Sequence, residues 1–270
     1  MTHCSVLAFL LSCLFSHSLC AQNESVFAEK MRLPQQATKA ETALSIARSF
    51  LEKPYVSHTL EQTPEALVCN LQTFDCYTFV ESVLALTLTR ETSGTYKEYQ
   101  DFLQKLRYRN GKINGYGSRL HYFLEWKQQA IAQGWLTDVS ASLGGIKIQP
   151  SIQFMTSHRT LYPALHDENA VSEIQQAEKQ LSETPWYYIP KNKVAAIEPK
   201  LQNGDIIGIT SGIAGLDFNH EGFVVRTGAR AYLLHASSDL KKVTLSAEPL
   251  AEYLARVKKH SGIVVLRMKE

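Results

Sequence analysis

Apolar residues recur at helical spacing through most of the chain, then give way to short dense runs in its last third. Between Ala40 and Leu51 the apolar set Ala43, Leu44, Ala47, Phe50 and Leu51 predicts a helix that Pro54 stops. A second helix is expected to open at Phe74-Asp75-Cys76-Tyr77-Thr78-Phe79-Val80-Glu81, with Asp75 as N-cap. There Cys76, Phe79, Val80, Val83 and Leu84 form one buried stripe, which sets Cys76 in the first turn. From Tyr96 to about Gln133 the pattern stays helical, interrupted at Asn110-Gly111 and Gly115-Tyr116-Gly117, with a further helix beginning at Arg119. A Gly144-Gly145 break, a short Ile146 to Phe154 segment and a helix from Glu168 to Leu181 complete a mostly helical middle. After the Asn203-Gly204 turn, β-rich runs follow at Asp205–Thr210, Glu221–Thr227, Ala231–Leu234, Val243–Leu245 and Gly262–Leu266. Only Glu248 to Val257 interrupts them with a helical pattern. Helices followed by an antiparallel meander predict an α+β fold and argue against alternating doubly wound units.

One further apolar run, Val6 to Phe15, is too short to cross a bilayer and is followed by Cys20-Ala21 and polar residues. It reads as the core of an export signal over residues 1–21, although Met1-Thr2-His3 carries no Lys or Arg. Cys20 as a lipidated cysteine is the alternative, with His17 standing where such a signal wants an aliphatic residue. No other segment is apolar enough to span a membrane. Loss of the signal removes Cys4, Cys13 and Cys20, leaving Cys69 and Cys76 as either a disulfide, inert core thiols or a reactive thiol with a neighbour. The 270 residues, 44% hydrophobic, suffice for one domain or one with an insertion. The formal charge of +2 is scattered, without the basic stripe that a phosphate backbone requires, so nucleic acid is not an expected partner.

A helix N-terminus stabilises a thiolate, and so does a neighbouring imidazole, which makes Cys76 the candidate nucleophile. His220, just before the strand Glu221-Gly222-Phe223-Val224-Val225, and His235, at the end of Tyr232-Leu233-Leu234, would share one end of a hairpin turning at Gly228. One imidazole could then orient the other, the arrangement of nucleophilic acyl transfer. Taken singly, each histidine could equally be structural. His58, His121, His158, His166 and His260 are surface or substrate-facing candidates.

The segments Phe74 to Glu81, Arg119-Leu120-His121-Tyr122 with Trp126, Gly204-Asp205-Ile206-Ile207, Gly215 to Gly222 and Leu234-His235-Ala236-Ser237-Ser238 together resemble a bacterial family of papain-like N-acetylmuramoyl-L-alanine amidases, within the NlpC-type cell-wall cysteine peptidases. The resemblance runs from about Ser45 onward. It implies a papain-like core of N-terminal helices on an antiparallel sheet, with residues 22–270 as one catalytic domain and a mostly helical insertion over about 91–195. It implies Cys76 as nucleophile, His220 as base, His235 as the orienting residue and Tyr55 as a shaper of the oxyanion site. Arg119, His121, Tyr122 and Trp126 become candidates for holding a sugar or a peptide carboxylate, or else an amphipathic helix with a solvated Arg and a core Trp. Asp217 is a substrate contact or a turn former, and Cys69 a buried small hydrophobe. The implied protein is an exported monomer of the periplasm or cell envelope that acts on peptidoglycan or muropeptide fragments without metal or other cofactor. A stem-peptide endopeptidase would use the same three residues. A zinc amidase with Cys76, His220 and His235 as ligands, or a non-catalytic peptidoglycan-binding domain, are readings from other classes.

Overall fold

Short polar side chains start the N-terminal helices of the computed structural model, which describes residues 21–270. The expected export signal lies outside the described residues except for its last position. A first helix, α1, covers residues 21–31. Thr38 caps α2 (Lys39–Arg48) by accepting from the Glu41 N–H. Asp75 and Thr78 form a reciprocal capping box on α3 (Cys76–Arg90), and Thr95 with Glu98 does the same for α4 (Tyr96–Arg107).

Sequence periodicity predicts one buried stripe on α3, but every residue from Thr78 to Thr89 is buried. The helix lies on the strands β5 (Phe218–Thr227) and β6 (Arg230–Ser237), with α2 and α4 against it. It is the central helix of the molecule. Its polar residues therefore need internal partners. Thr87 and Thr89 donate to the Val83 and Ala85 carbonyls, and Glu81 pairs with Arg107 of α4 at 2.9 Å.

The remaining strands are β1 (Leu136–Asp138), β2 (Ile146–Ile148), β3 (Trp186–Pro190), β4 (Ile206–Ser211), β7 (Lys242–Leu245) and β8 (His260–Met268). They form one antiparallel sheet ordered β2-β3-β8-β4-β5-β6-β7, with β1 also pairing β8. The mixed α+β architecture with an antiparallel sheet is thus established, with two departures from expectation. The meander β4-β5-β6-β7 does not continue into β8, which crosses back to pair β4 along its length. The middle third is not purely helical, because β1, β2 and β3 all join the sheet. The three-residue strands β1 and β2 are too short to show a two-residue period in sequence. Helix α5 (Phe123–Ala132) precedes β1, α6 (Phe154–Ser157) and α7 (Glu168–Glu183) lie between β2 and β3, α8 (Val194–Ile197) follows β3, and α9 (Leu250–Arg256) precedes β8.

Strand alternation splits the interior into two clusters. Ile206, Phe223, Leu234 and Val264 bury with Phe79 of α3 on one face. Ile207, Val224, Leu233 and Val265 bury with Leu250 and Leu254 of α9 on the other. Among the described residues no helix is long and apolar enough to cross a membrane.

Candidate active site

Cys76 occupies the first position of α3, where helix N–H groups lack intrahelical partners. The Asp75 carboxylate takes the Thr78 N–H at 2.8 Å and leaves the first N–H groups of the helix free for other acceptors. A cavity of about 170 Å³ opens over the thiol, with Tyr77, His220 and Glu221 in its wall. The β5–β6 hairpin carries the two histidines, with Thr227 opposite Arg230 across its turn. Both sit inside the strands and not at their margins, because β5 starts at Phe218 and β6 runs to Ser237. His220 Nε2 lies 2.5 Å from His235 Nδ1. That contact leaves Nδ1 of His220 as its nitrogen for other partners. Tyr55 is held beside the segment leading into α3: its backbone bridges Phe74, and its N–H donates to the Lys241 carbonyl at 2.9 Å.

Desolvation dominates the electrostatics. Burial pushes the Cys76 thiol well above its usual range, reinforced by the nearby Asp75 and Glu221 carboxyls, while the Glu221 and Tyr77 N–H groups pull the other way. The Tyr77 N–H at the helix end and the Glu221 N–H of β5 do reach the sulfur, but burial outweighs them, so the resting thiol is protonated. Burial also holds His220 well below the usual imidazole range, with His235, His260 and Lys259 adding to the effect, and lowers His235 to about 4. The resting pair is therefore neutral thiol and neutral imidazole. A neutral His220 whose Nδ1 is to accept a proton must carry its hydrogen on Nε2, donating to His235 Nδ1. The Tyr55 phenol, raised to about 12 by burial and by its neighbours Cys76 and Asp75, stays protonated and can donate a hydrogen bond.

The other sequence candidates separate into groove and scaffold. His121 packs on Tyr116 with ring centroids 4.4 Å apart and the planes tilted, meets the Tyr116 carbonyl through Nε2, and lines the cavity over Cys76. Arg119, 4% exposed, is committed to Glu61 and Glu65 and lies over the Tyr116 ring, so no free guanidinium faces the groove there. Tyr122 donates to Glu178 at 2.6 Å and accepts from the Met155 N–H, bracing α6 and α7. Trp126, 1% exposed, packs on Phe123 in the core and offers no sugar platform. Arg119 to Tyr122 do not begin a helix: α5 starts at Phe123, where its own preceding residue supplies no side-chain cap. Asp217 supplies it from a distance, accepting from the Leu124 and Phe218 N–H groups. Its carboxyl is raised to about 7 by burial despite those bonds. Cys69 and Cys76 are not joined in a disulfide, and Cys69, half-buried, packs against the core.

Of three residues near the histidines, Tyr253 and Glu221 were not singled out by sequence, and His260, read there as a surface or substrate-facing histidine, is buried instead. Tyr253 of α9 sets its ring 5.5 Å from His235, 6.3 Å from His220 and 5.7 Å from His260, closing the rear of the imidazole pair. His260 is buried, its Nδ1 unpartnered and its basicity lowered to about 4, chiefly by burial. Glu221 lies on the α3 face of β5, is 4% exposed with Oε2 unpartnered, and is pushed well above the usual carboxyl range by burial and by Glu81 and Asp75. The only signal for Tyr253 was its place on an apolar helical stripe, which core residues share. Among the described residues, no three or more His, Cys, Asp or Glu side chains are grouped to hold a metal ion.

Grooves leave the Cys76 cavity in two directions. One, reached past His121 and Leu216, leads to a larger hollow of about 520 Å³ with His58, Glu61 and Tyr116 in its wall. The other, reached past Leu216 and Asp217, is a hollow of about 340 Å³ beside β2 and β3.

Comparison with known proteins shows the family. Residues 45–263 match the AmiA-like family model, described as N-acetylmuramoyl-L-alanine amidase-like. A crystal structure of an N-acetylmuramoyl-L-alanine amidase from Bacteroides uniformis superposes with TM-score 0.82 at 41% identity, over 86% of this chain and 99% of that one. A Bacteroides fragilis protein given a provisional name as a xylanase follows at 38% identity and TM-score 0.77, over 82% and 99% of the two chains. A Legionella pneumophila protein at 21% identity shares the fold, with TM-score 0.72 over 94% and 97%. No curated protein matches the chain. The chain belongs to the AmiA-like family of N-acetylmuramoyl-L-alanine amidase-like cell-wall hydrolases.

Proposed function

We propose that this protein is an exported cysteine amidase with a papain-like, NlpC-type core, hydrolysing the bond between the lactyl group of N-acetylmuramic acid and the first L-alanine of the stem peptide. The observation that carries the reading is His220, in the wall of one cavity with a helix-N-terminal Cys76 and hydrogen-bonded behind to His235. In the proposed reaction His220 Nδ1 takes the Cys76 proton, and the positive charge is eased by the Nε2–H bond to His235. The thiolate adds to the amide carbonyl, and the oxyanion is met by the Cys76 N–H and the Tyr55 hydroxyl. His220 returns the proton to the alanine nitrogen, which leaves. Water, deprotonated by His220, then cleaves the thioester to free the muramyl carboxylate and restore the thiol.

The family name supports the choice of bond, since the Bacteroides uniformis neighbour is named for it. A glycosidase reading, suggested by the other neighbour's provisional name, needs two carboxylates facing each other across a bond. Asp217, however, commits its oxygens to backbone N–H groups, and Glu221 is buried against α3. Export follows from the signal reading of residues 1–21 and from where peptidoglycan lies.

Purified muropeptides incubated with wild type should yield free disaccharide and intact stem peptide by mass analysis. Cys76→Ala should yield neither, and activity should survive a chelator and be lost to iodoacetamide. Shortened stems still attached to sugar would mean an endopeptidase instead. Activity retained in Cys76→Ala would end the cysteine mechanism.

A further inference from the structure

A regular strand turns successive side chains to opposite faces, yet Phe218, Asn219, His220 and Glu221, consecutive in β5, all line the cavity over Cys76. A β-bulge accounts for this. Ile209 of β4 faces His220 and the next residue, Thr210, faces Phe218, so Asn219 is an extra residue with no partner on β4. The other neighbour of β4 does the same one step on. Thr210 faces Gly262 and Ser211 faces His260, which leaves Ser261 as the extra residue of β8. Each bulge changes the face that a side chain meets. Phe218 and Phe223, five positions apart, would take opposite faces of a regular strand, but both bury on the α3 side, where Phe218 packs on Phe123 at 4.3 Å. His260 and Val265 are likewise five apart, and both turn to the α9 side, His260 with its ring 5.7 Å from Tyr253. The two bulges thus set a front wall and a rear wall around His220.

Side chains tie the bulges to each other. The Asn219 amide donates to the Lys259 carbonyl at 2.9 Å, next to His260, and the same carbonyl takes the Gly212 N–H at 2.7 Å. The Ser211 hydroxyl donates to Asn219 Oδ1 at 3.2 Å, and the Ser261 hydroxyl donates to the Ser211 carbonyl at 3.1 Å. Asn219 is therefore held from the end of β4 and from the start of β8 at once. A bulge bends its strand and re-aims the neighbouring side chain, but an unpinned bulge leaves that aim loose, and a base must stay within about 0.5 Å of its working position. We propose that Asn219 is a positioning residue for the base: it locks the bulge that aims His220, keeping Nε2 on His235 and leaving Nδ1 for the Cys76 thiol. The role rests on the proposed reaction, in which His220 is that base. Direct contact of Asn219 with substrate is the competing role, since its side chain also borders the cavity.

Two measurements test it. Alkylation of Cys76 by iodoacetamide, followed by peptide mass spectrometry, reports the base whatever bond is cut, and muropeptide cleavage reports turnover. Asn219→Ala should lower kcat about tenfold with KM changed by less than about twofold, as expected when a reacting group is misplaced. It should slow alkylation to match, and broaden or remove the far-downfield proton resonance of the His220–His235 hydrogen bond. Ser211→Ala removes the hydroxyl that donates to Asn219 from outside the Cys76 cavity, and should move kcat and alkylation the same way by about threefold. It carries the test if Asn219→Ala does not fold. A raised KM, with the alkylation rate and the resonance of wild type, would make Asn219 a substrate contact and overturn the proposal. Wild-type kcat and alkylation in both variants would overturn it too. His220→Ala separates this proposal from the reading beneath it. If His220→Ala is alkylated as fast as wild type, His220 is not the base and both fall. If alkylation depends on His220 but wild type leaves muropeptides uncut, only the choice of bond falls, and the alkylation rates still decide the role of Asn219.

Discussion

Asp217 shows how a single buried carboxyl can tie together parts of the molecule distant in sequence. It accepts from Leu124 at the start of α5 and from Phe218 at the start of β5, so it fixes the loop leading into His220 against the wall of the groove. Asp217→Ala leaves both N–H groups without this acceptor and should cost about 1–3 kcal/mol, read from the urea midpoint. Asp217→Asn keeps a carbonyl acceptor and should cost less; equal losses would make charge, not acceptance, the essential property. His260 makes a prediction about pH. It is held at about 4, against 6.5 for an unburied imidazole, so between those values the unfolded chain takes up a proton that the folded protein refuses. Its contribution to stability is complete above about 6.5 and is lost as the pH falls through about 4. The drop in stability between neutral pH and pH 4 should therefore be about 2 kcal/mol smaller in His260→Gln than in wild type. Parallel pH profiles would show that His260 is not kept neutral by its surroundings.

At the scale of elements, the N-terminus of α3 does two jobs with one motif. The Asp75–Thr78 capping box holds the helix start while the Cys76 position remains open to the groove. Thr78→Val should cost about 1 kcal/mol, and, by loosening the frame of the thiol, lower kcat more than it raises KM. A change confined to stability would separate the cap from the chemistry. The Glu81–Arg107 pair fastens α3 to α4 at 0% and 2% side-chain exposure. Arg107→Met leaves a buried carboxylate alone and should cost about 3–5 kcal/mol, whereas Glu81→Leu with Arg107→Met should recover much of that. Chemical denaturation of the single and double variants decides it.

The Asp75 N-cap and the hairpin at Gly228 were legible in sequence because both depend on neighbours only a few residues apart. The burial of α3 on every side was not, since period reports one preferred face and cannot count the elements that will pack on the others. Tyr122 does line the hollow past His121, whereas Trp126 and Arg119 turn into the protein, because the partners of these residues, Phe123 aside, are set by tertiary folding: Glu178, Met155, Glu61 and Glu65. Tyr253 and Glu221 reach the site from an apolar helical stripe and from the strand position after His220, and neither placement has a local signature.

For the whole molecule, β8 is the strand on which the sheet closes. Its one edge pairs β4, and its other is shared by β3 and β1. Removal of residues 260–268 would therefore unpair three strands at once and should leave the protein without cooperative thermal unfolding, whereas trimming only the last two residues should not. A truncated protein that still melts cooperatively would place the folding core elsewhere. This arrangement also governs timing. Cys76 emerges early in synthesis, but the wall behind His220 waits for His260 and the sheet waits for β8. If the proposed export passes the chain through a membrane before it folds, the chain carries its cutting chemistry in an unassembled form until β8 has crossed. The order of strands in the sheet would then act as a safety interval, arming the hydrolase only where its substrate lies.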